Sequence, residues 1–361
     1  MSAVPSAPDP DYGLARDGRV ARAPAATSKA ASSGLPRAWR CADVAARTGE
    51  VFFELGDEAR AQVALAWPHI RANGFTLATI EQEDMRLPAL AREVPGLRAR
   101  LDHGLGFFVL RGLPLDGLGD EEARMLAWVV SNYLGRVIRQ NYTGLRVELL
   151  KDQKRSDGDP YRISQTNRFF DFHSDNGVLE PRPPNYIGLT CLHPARAGGE
   201  SVLVSSYTLH DEVLARSPAL LRTLYGSFHA DKPRLQTRAG AEDRPVRYPI
   251  FQRVGAELQM RYNRVFLEQG AAKAGVALSR DALEAFDLLD ALMQHESLLF
   301  RHVLQRGEML VANNLATLHS RTAYVDHDTP GLERQLLRSW MWRRHAHPGT
   351  DPVGLDLDEL E

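Results

Sequence analysis

The chain has 361 residues, of which 43% are hydrophobic and 25% charged, with a formal net charge of −2 at pH 7. A chain of this size and make-up can bury a substantial core, and its near-neutral balance leaves no basic footprint for nucleic acid or an anionic membrane surface. Two cysteines, Cys41 and Cys191, are too few for a disulfide scaffold or a four-thiolate zinc site, and no apolar run is long enough to span a bilayer.

Residues 1–37 are rich in Ala, Pro, Ser and Arg and poor in large apolar groups, which predicts a disordered tail. Their first stretch lacks the apolar segment of a signal peptide, so a cytoplasmic location is expected. From Trp39 onward aromatic and aliphatic residues recur without a linker-like gap, which predicts a single domain over 38–361. LGFFVLRGLPL (105–115) reads as a strand. GDEEARMLAWVVSNYLG (119–135) reads as a helix, with acidic residues in its first turn and Gly135 placed to end it. Gln140, Asn141 and Tyr142 then begin a strand-like run. The charged, Gly/Pro-punctuated segment from Arg146 to Phe170 reads as a lid. NYIGLTCLHPA (185–195), SVLVSSYTL (201–209), ELQMRYNRVFL (257–267), EMLVANN (308–314) and QLLRSWMWR (335–343) read as further strands, and residues 279–307 as an amphipathic helical region. Many strands with a few peripheral helices predict a mainly β fold with a sandwich or barrel core. G-x-G-x-x-G and Walker loops are absent, which argues against a nucleotide enzyme.

The segment FFDFHSDNG (169–177) carries the chemistry. Side chains two apart on an extended segment share a face, so His173 and Asp175 would offer an imidazole nitrogen and a carboxylate oxygen to one ion. His319, in the distant NNLATLHSRTAYVD, is a candidate third ligand. Two His and one carboxylate on one face of an ion leave positions open for a cosubstrate and dioxygen. In ERQLLRSWMWR, Arg334 and Arg338 are four apart and would share a strand face, where a guanidinium can grip a carboxylate with two parallel hydrogen bonds. His193, His210 and His229 read as structural or surface residues, and Phe169-Phe170 as core.

HSD (173–175), ARAGGES (195–201), NNLATLHSRTAYVD (313–326) and ERQLLRSWMWR (333–343) together resemble the taurine dioxygenase (TauD/TfdA, clavaminate-synthase-like) family of Fe(II)/2-oxoglutarate-dependent oxygenases. The resemblance implies a double-stranded β-helix (jelly-roll, cupin-like) core with Fe(II) held by His173, Asp175 and His319, which would be the catalytic centre. It implies 2-oxoglutarate and O2 as cosubstrates, with Arg334 anchoring the distal carboxylate. Ser201 stands where the family has a threonine contacting that carboxylate and keeps a hydroxyl there. Arg338 matches a position that meets the substrate's anionic group in taurine dioxygenase. Halogenating relatives replace the metal-binding carboxylate by a small residue, so Asp175 favours hydroxylation or another oxidation.

On this reading the enzyme hydroxylates an unactivated C–H of a small molecule, an amino acid derivative or specialised metabolite, releasing succinate and CO2. Desaturation or oxidative cyclisation uses the same cofactors and stays open, as does homo-oligomerisation. The substrate wall is expected from Gln140, Asn141, Tyr142, Asn167, Arg168, Asn176 and Arg338. Two readings of other classes stay open from the residues: a zinc-dependent metallohydrolase using the same triad, which leaves Arg334 and the GGES turn unexplained, and a non-catalytic jelly-roll binding protein.

Overall fold

The computed structural model describes residues 37–141, 144–155, 158–179, 182–232 and 244–344. All but the last residue of the expected tail, and Tyr142, lie outside the described residues. Two sheets dominate. The seven-stranded sheet runs in the order Phe52–Glu54, Phe107–Arg111, Met309–Asn313, Tyr186–His193, Gln335–Trp342, Arg136–Ile138, with Glu148–Leu150 also paired to Gln335–Trp342. Only its first pair is parallel. The four-stranded sheet is antiparallel, in the order Leu299–His302, Ser201–Ser205, Thr317–Arg321, Phe170–His173.

The period-two alternation of these strands builds three apolar layers. On Gln335–Trp342, Leu337 and Met341 join a core beneath the helices Asp57–Ala72, Pro88–Asp102 and Asp120–Leu134. Leu336, Trp340 and Trp342 join Phe107, Val109 and Leu203 in a second core that draws on both sheets. On the four-stranded sheet, Phe172, Val202, Val204 and Leu318 pack outward against Ser206–Arg216, Pro218–Leu224 and Arg280–Leu292. Each fully buried Leu or Phe contributes about 1.5–3 kcal/mol relative to exposure, so every strand that carries a site residue is fixed through apolar neighbours on its opposite face.

The helix expected over 119–135 spans Asp120–Leu134, with Asp120, Glu121 and Glu122 in the first turn and Glu122 accepting from the Gly119 N–H. Three expectations need correction. The strand in SVLVSSYTL stops at Ser205, because the Ser205 hydroxyl accepts from Thr208 N and caps the helix Ser206–Arg216. In ELQMRYNRVFL the strand covers Glu257–Met260, and Asn263 caps the helix Arg264–Lys273 in the same way. The region 279–307 divides into the helix Arg280–Leu292 and the strand Leu299–His302. Within the supposed lid, Glu148–Leu150 is a strand of the large sheet and Pro160–Gln165 a 3-10 helix. No helix among the described residues is long and apolar enough to cross a membrane. Cys41 and Cys191 are both free, and Cys191 is buried.

Candidate metal centre

His173 ends the strand Phe170–His173, and its cross-strand partner is His319 on Thr317–Arg321. Phe172 and Leu318 point to the outer core, so alternation turns both imidazoles to the inner face, their ring centroids 4.3 Å apart. Asp175 follows two residues later. One donor atom from each of His173, Asp175 and His319 lies within 4.8 Å of the others, and all three residues are buried. His173 Nδ1 lies 2.7 Å from the Asp171 carbonyl; the ring nitrogen donates there, and Nε2 is left to face the cluster. Phe170 stacks on His173 at 3.9 Å between ring centroids, so this phenylalanine, expected to be core, is part of the site wall.

Asp175 is held on every side. Its N–H donates to Asn314 Oδ1 (2.7 Å), and Asn314 Nδ2 returns a bond to the Asp175 carbonyl (2.8 Å). Trp340 Nε1 donates to Oδ2 at 2.8 Å and an Arg338 N–H to Oδ1 at 3.2 Å. Burial opposes ionisation of the carboxyl, but Arg338, with His173 and His319, prevails and holds it well below the usual carboxylate range. Burial and the neighbouring His173 push His319 down to about 3, which keeps that imidazole neutral and its lone pair free. Two imidazole nitrogens and one charged carboxylate in a buried cluster fit Fe(II).

Arg334 is 4% exposed and shares a cavity with His173, Asp175, His319 and Ser201. Its guanidinium carbon lies 4.9 Å from the centre of the Tyr324 ring, and its backbone N–H donates to Asp326 Oδ1 at 2.8 Å. The GGES turn has a steric reason. Gly198 and Gly199 have φ of +68° and +72°, and a Cβ on them would lie 2.2 Å from the Ala323 carbonyl oxygen and 2.9 Å from Arg334 Nε. Only glycine permits this backbone to pass so close.

Arg338 lies on the same inner face, but its guanidinium is already engaged. It pairs with Glu148 as well as Asp175, and Gln140 brackets it by accepting from Nε (3.0 Å) and donating to its carbonyl (2.6 Å). Asn141 and Asn176 line an adjoining cavity that His173, Asp175, Glu148 and Arg338 also border. Asn176 has φ +44° and a buried Oδ1 without a partner. Arg168 is exposed and borders a separate small cleft with Arg155, Asp159 and Arg162; its side chain is not among those brought to the metal cluster. Asn167 is exposed too, its carbonyl accepting from Tyr324 N. His210 is a buried partner of Tyr225. Glu148, Asn314 and Trp340 are site residues that the sequence reading missed. Trp340 carried a usable signal, since 334, 336, 338 and 340 share one strand face.

Residues 73–340 match the family described as taurine catabolism dioxygenase TauD, TfdA family. The chain belongs to this family. It is an Fe(II)- and 2-oxoglutarate-dependent oxygenase. It is 29% identical over 294 residues to FR-33289 synthase of Streptomyces rubellomurinus (strain ATCC 31215), covering 80% of this chain and 84% of that protein. A taurine hydroxylase-like protein, SAT17, of Stachybotrys chartarum (strain CBS 109288 / IBT 7711) is 24% identical over 309 residues, 81% of this chain and 75% of its own. Among solved structures, asparagine oxygenase with Fe(II), 2S,3S-3-hydroxyasparagine and succinate superposes with a TM-score of 0.62 at 19% identity, over 81% of this chain and 93% of its own. The oxygenase OrfP with Fe and α-ketoglutaric acid gives 0.55 at 17% identity, over 81% and 94%. These likenesses speak for the fold, which is mainly β with packed helices.

Proposed function

We propose that the protein is a cytoplasmic hydroxylase of an amino acid derivative or related specialised metabolite, built as one catalytic domain over 38–361 around a double-stranded β-helix. Two sheets, antiparallel but for the first pair of the larger one, with His173 and His319 on the smaller and Arg334 and Arg338 at the larger, support that core. The observation that carries the substrate class is the side-by-side placement of Arg338 and Glu148 at the cavity bordered by His173 and Asp175. Although the two already pair with each other, a guanidinium has five N–H donors and a carboxylate two acceptor oxygens, so the pair can still take the carboxylate and ammonium of an α-amino acid head. The asparagine oxygenase and OrfP structures contain hydroxyasparagine and hydroxyarginine, heads of that kind.

With O2, Fe(II) and 2-oxoglutarate supply the oxidising power when bound, and succinate and CO2 leave. On this reading His173, Asp175 and His319 hold the metal, while Arg334 and Ser201 receive the distal carboxylate of 2-oxoglutarate. Gln140 fixes the rotamer of Arg338, Asn141 and Asn176 line the substrate side, and Phe170 shields His173 from water. Because Asp175 supplies the third ligand, hydroxylation is favoured over halogenation. The test is anaerobic: Fe(II) plus 2-oxoglutarate should give a charge-transfer absorption that requires both. Succinate release across a panel of free and N- or C-blocked amino acids then reads the substrate class. An absorption that appears with either component alone, or release indifferent to blocking the head, contradicts the reading.

A further inference from the structure

We propose that Arg321 is a second cationic anchor for the distal carboxylate of 2-oxoglutarate, acting beside Arg334; the inference rests on the oxygenase reading above. Arg321 lies two positions after His319 on Thr317–Arg321, directly opposite Ser201 on the neighbouring strand. It therefore reaches the cavity from the small sheet, whereas Arg334 reaches it from the start of a strand in the large one. The two guanidinium carbons converge on one ring, each 4.9 Å from the centre of Tyr324.

Both arginines are more than nine-tenths buried, at 8% and 4% exposure. The partners of the Arg321 guanidinium are the Arg168 carbonyl and the face of Tyr324, and its buried Nε has none. Arg334 rests on the same phenol. Asp152 and Asp326, the acidic groups nearest the pair, both hold Lys154. Asp152 and Asp326 act on the pair through space, but among the described residues no carboxylate is paired with either guanidinium. Two like charges kept from water are costly unless an anion joins them. A carboxylate set between two guanidiniums relieves that repulsion and gives the orphaned Nε an acceptor. Since Ser201 is the cross-strand partner of Arg321, the same oxygen pair can receive its hydroxyl.

The test is an anaerobic titration of 2-oxoglutarate into Fe(II)-loaded wild-type protein, Arg321→Gln, Arg321→Lys and Arg334→Gln, read by charge-transfer absorption. 2-Oxobutyrate, which lacks the distal carboxylate, is titrated in parallel. Arg321→Gln should weaken 2-oxoglutarate about tenfold or more and leave 2-oxobutyrate unchanged, with Arg321→Lys intermediate. Equal weakening of both 2-oxo acids, or unchanged 2-oxoglutarate affinity in both Arg321 variants, would overturn the proposal. If Arg321→Gln does not fold, Arg321→Lys decides alone, because an ammonium on a shorter reach loses the Nε contact. Absence of 2-oxoglutarate-dependent absorption in the wild type would instead count against the oxygenase reading itself.

Discussion

His319 and His173 are direct cross-strand partners, their imidazoles 4.3 Å apart on the inner face of one antiparallel sheet. The pairing brings the two candidate ligands together by backbone register, and the Asp171 carbonyl and the Phe170 ring orient His173, before any metal contributes. His319→Ala should therefore leave the fold intact, because Leu318 still anchors the strand, while metal affinity falls by more than about 100-fold, beyond the effect of losing an outer partner. Metal titration alongside a thermal melt checks both halves of that statement.

Trp340→Phe deletes the 2.8 Å bond to Asp175 Oδ2 and keeps most of the ring volume. Metal affinity should drop by about 10–100-fold, with far-UV circular dichroism unchanged. Wild-type affinity in the folded variant would show that Arg338 and Asn314 suffice to orient the carboxylate.

Gly199→Ala forces a side chain into a left-handed backbone, at about 1–2 kcal/mol, and into the space of Arg334 Nε. The expected outcome is a raised KM for 2-oxoglutarate with metal affinity as in the wild type. A variant altered in metal binding but not in KM would contradict that account of the turn.

Glu148→Gln removes one of the two negative partners of Arg338, leaving Asp175, without changing the shape of the side chain. The KM for a substrate bearing a free ammonium should rise by about tenfold, while the anaerobic 2-oxoglutarate titration stays the same. The comparison of substrate KM with cosubstrate affinity separates this outcome from general damage.

Acid stability should depend on Glu308. Its buried carboxylate accepts from His302 Nε2 (2.7 Å), Arg111 Nε (2.9 Å) and Gln305 N (2.9 Å). Burial opposes its ionisation, but these partners, His302 first, hold its pKa below the ordinary 4.5. A depressed folded pKa means that its stabilisation is fully present above the ordinary value and is lost as pH falls through the folded one. Wild-type Tm should therefore fall more steeply below about pH 5 than that of Glu308→Gln, and parallel curves would refute the link.

The sequence exposed what local pattern encodes. Period-two alternation revealed the strands and the shared face of Arg334 and Arg338, and the H-x-D spacing revealed one corner of the site. It concealed the places where one residue serves two elements. Ser205 and Asn263 are polar caps at strand-to-helix passages, and their apolar flanks continued the strand reading into Ser206–Arg216 and Arg264–Lys273. Glu148 was hidden for another reason, since its importance comes from register with Arg338, a contact between segments 190 residues apart. The exposure of Arg168 could not be read either, because its backbone carbonyl, rather than its charge, faces Arg321.

The division of the site between two sheets makes their separation a measuring gauge. His173 and His319 sit on the four-stranded sheet, whereas Arg334 stands at the head of a strand in the seven-stranded one. An apolar filling of Leu203, Leu336, Trp340 and their neighbours sets how far apart the sheets stand, at roughly 10 Å for packed sheets. If Arg334 receives the far end of the 2-oxo acid, as proposed above, the reach of that arginine from the large sheet towards the histidines depends on this span. On that reading, the preference for a five-carbon dicarboxylate over its shorter and longer homologues would then rest on the volume of this filling, of which Leu336 also lines the cavity itself.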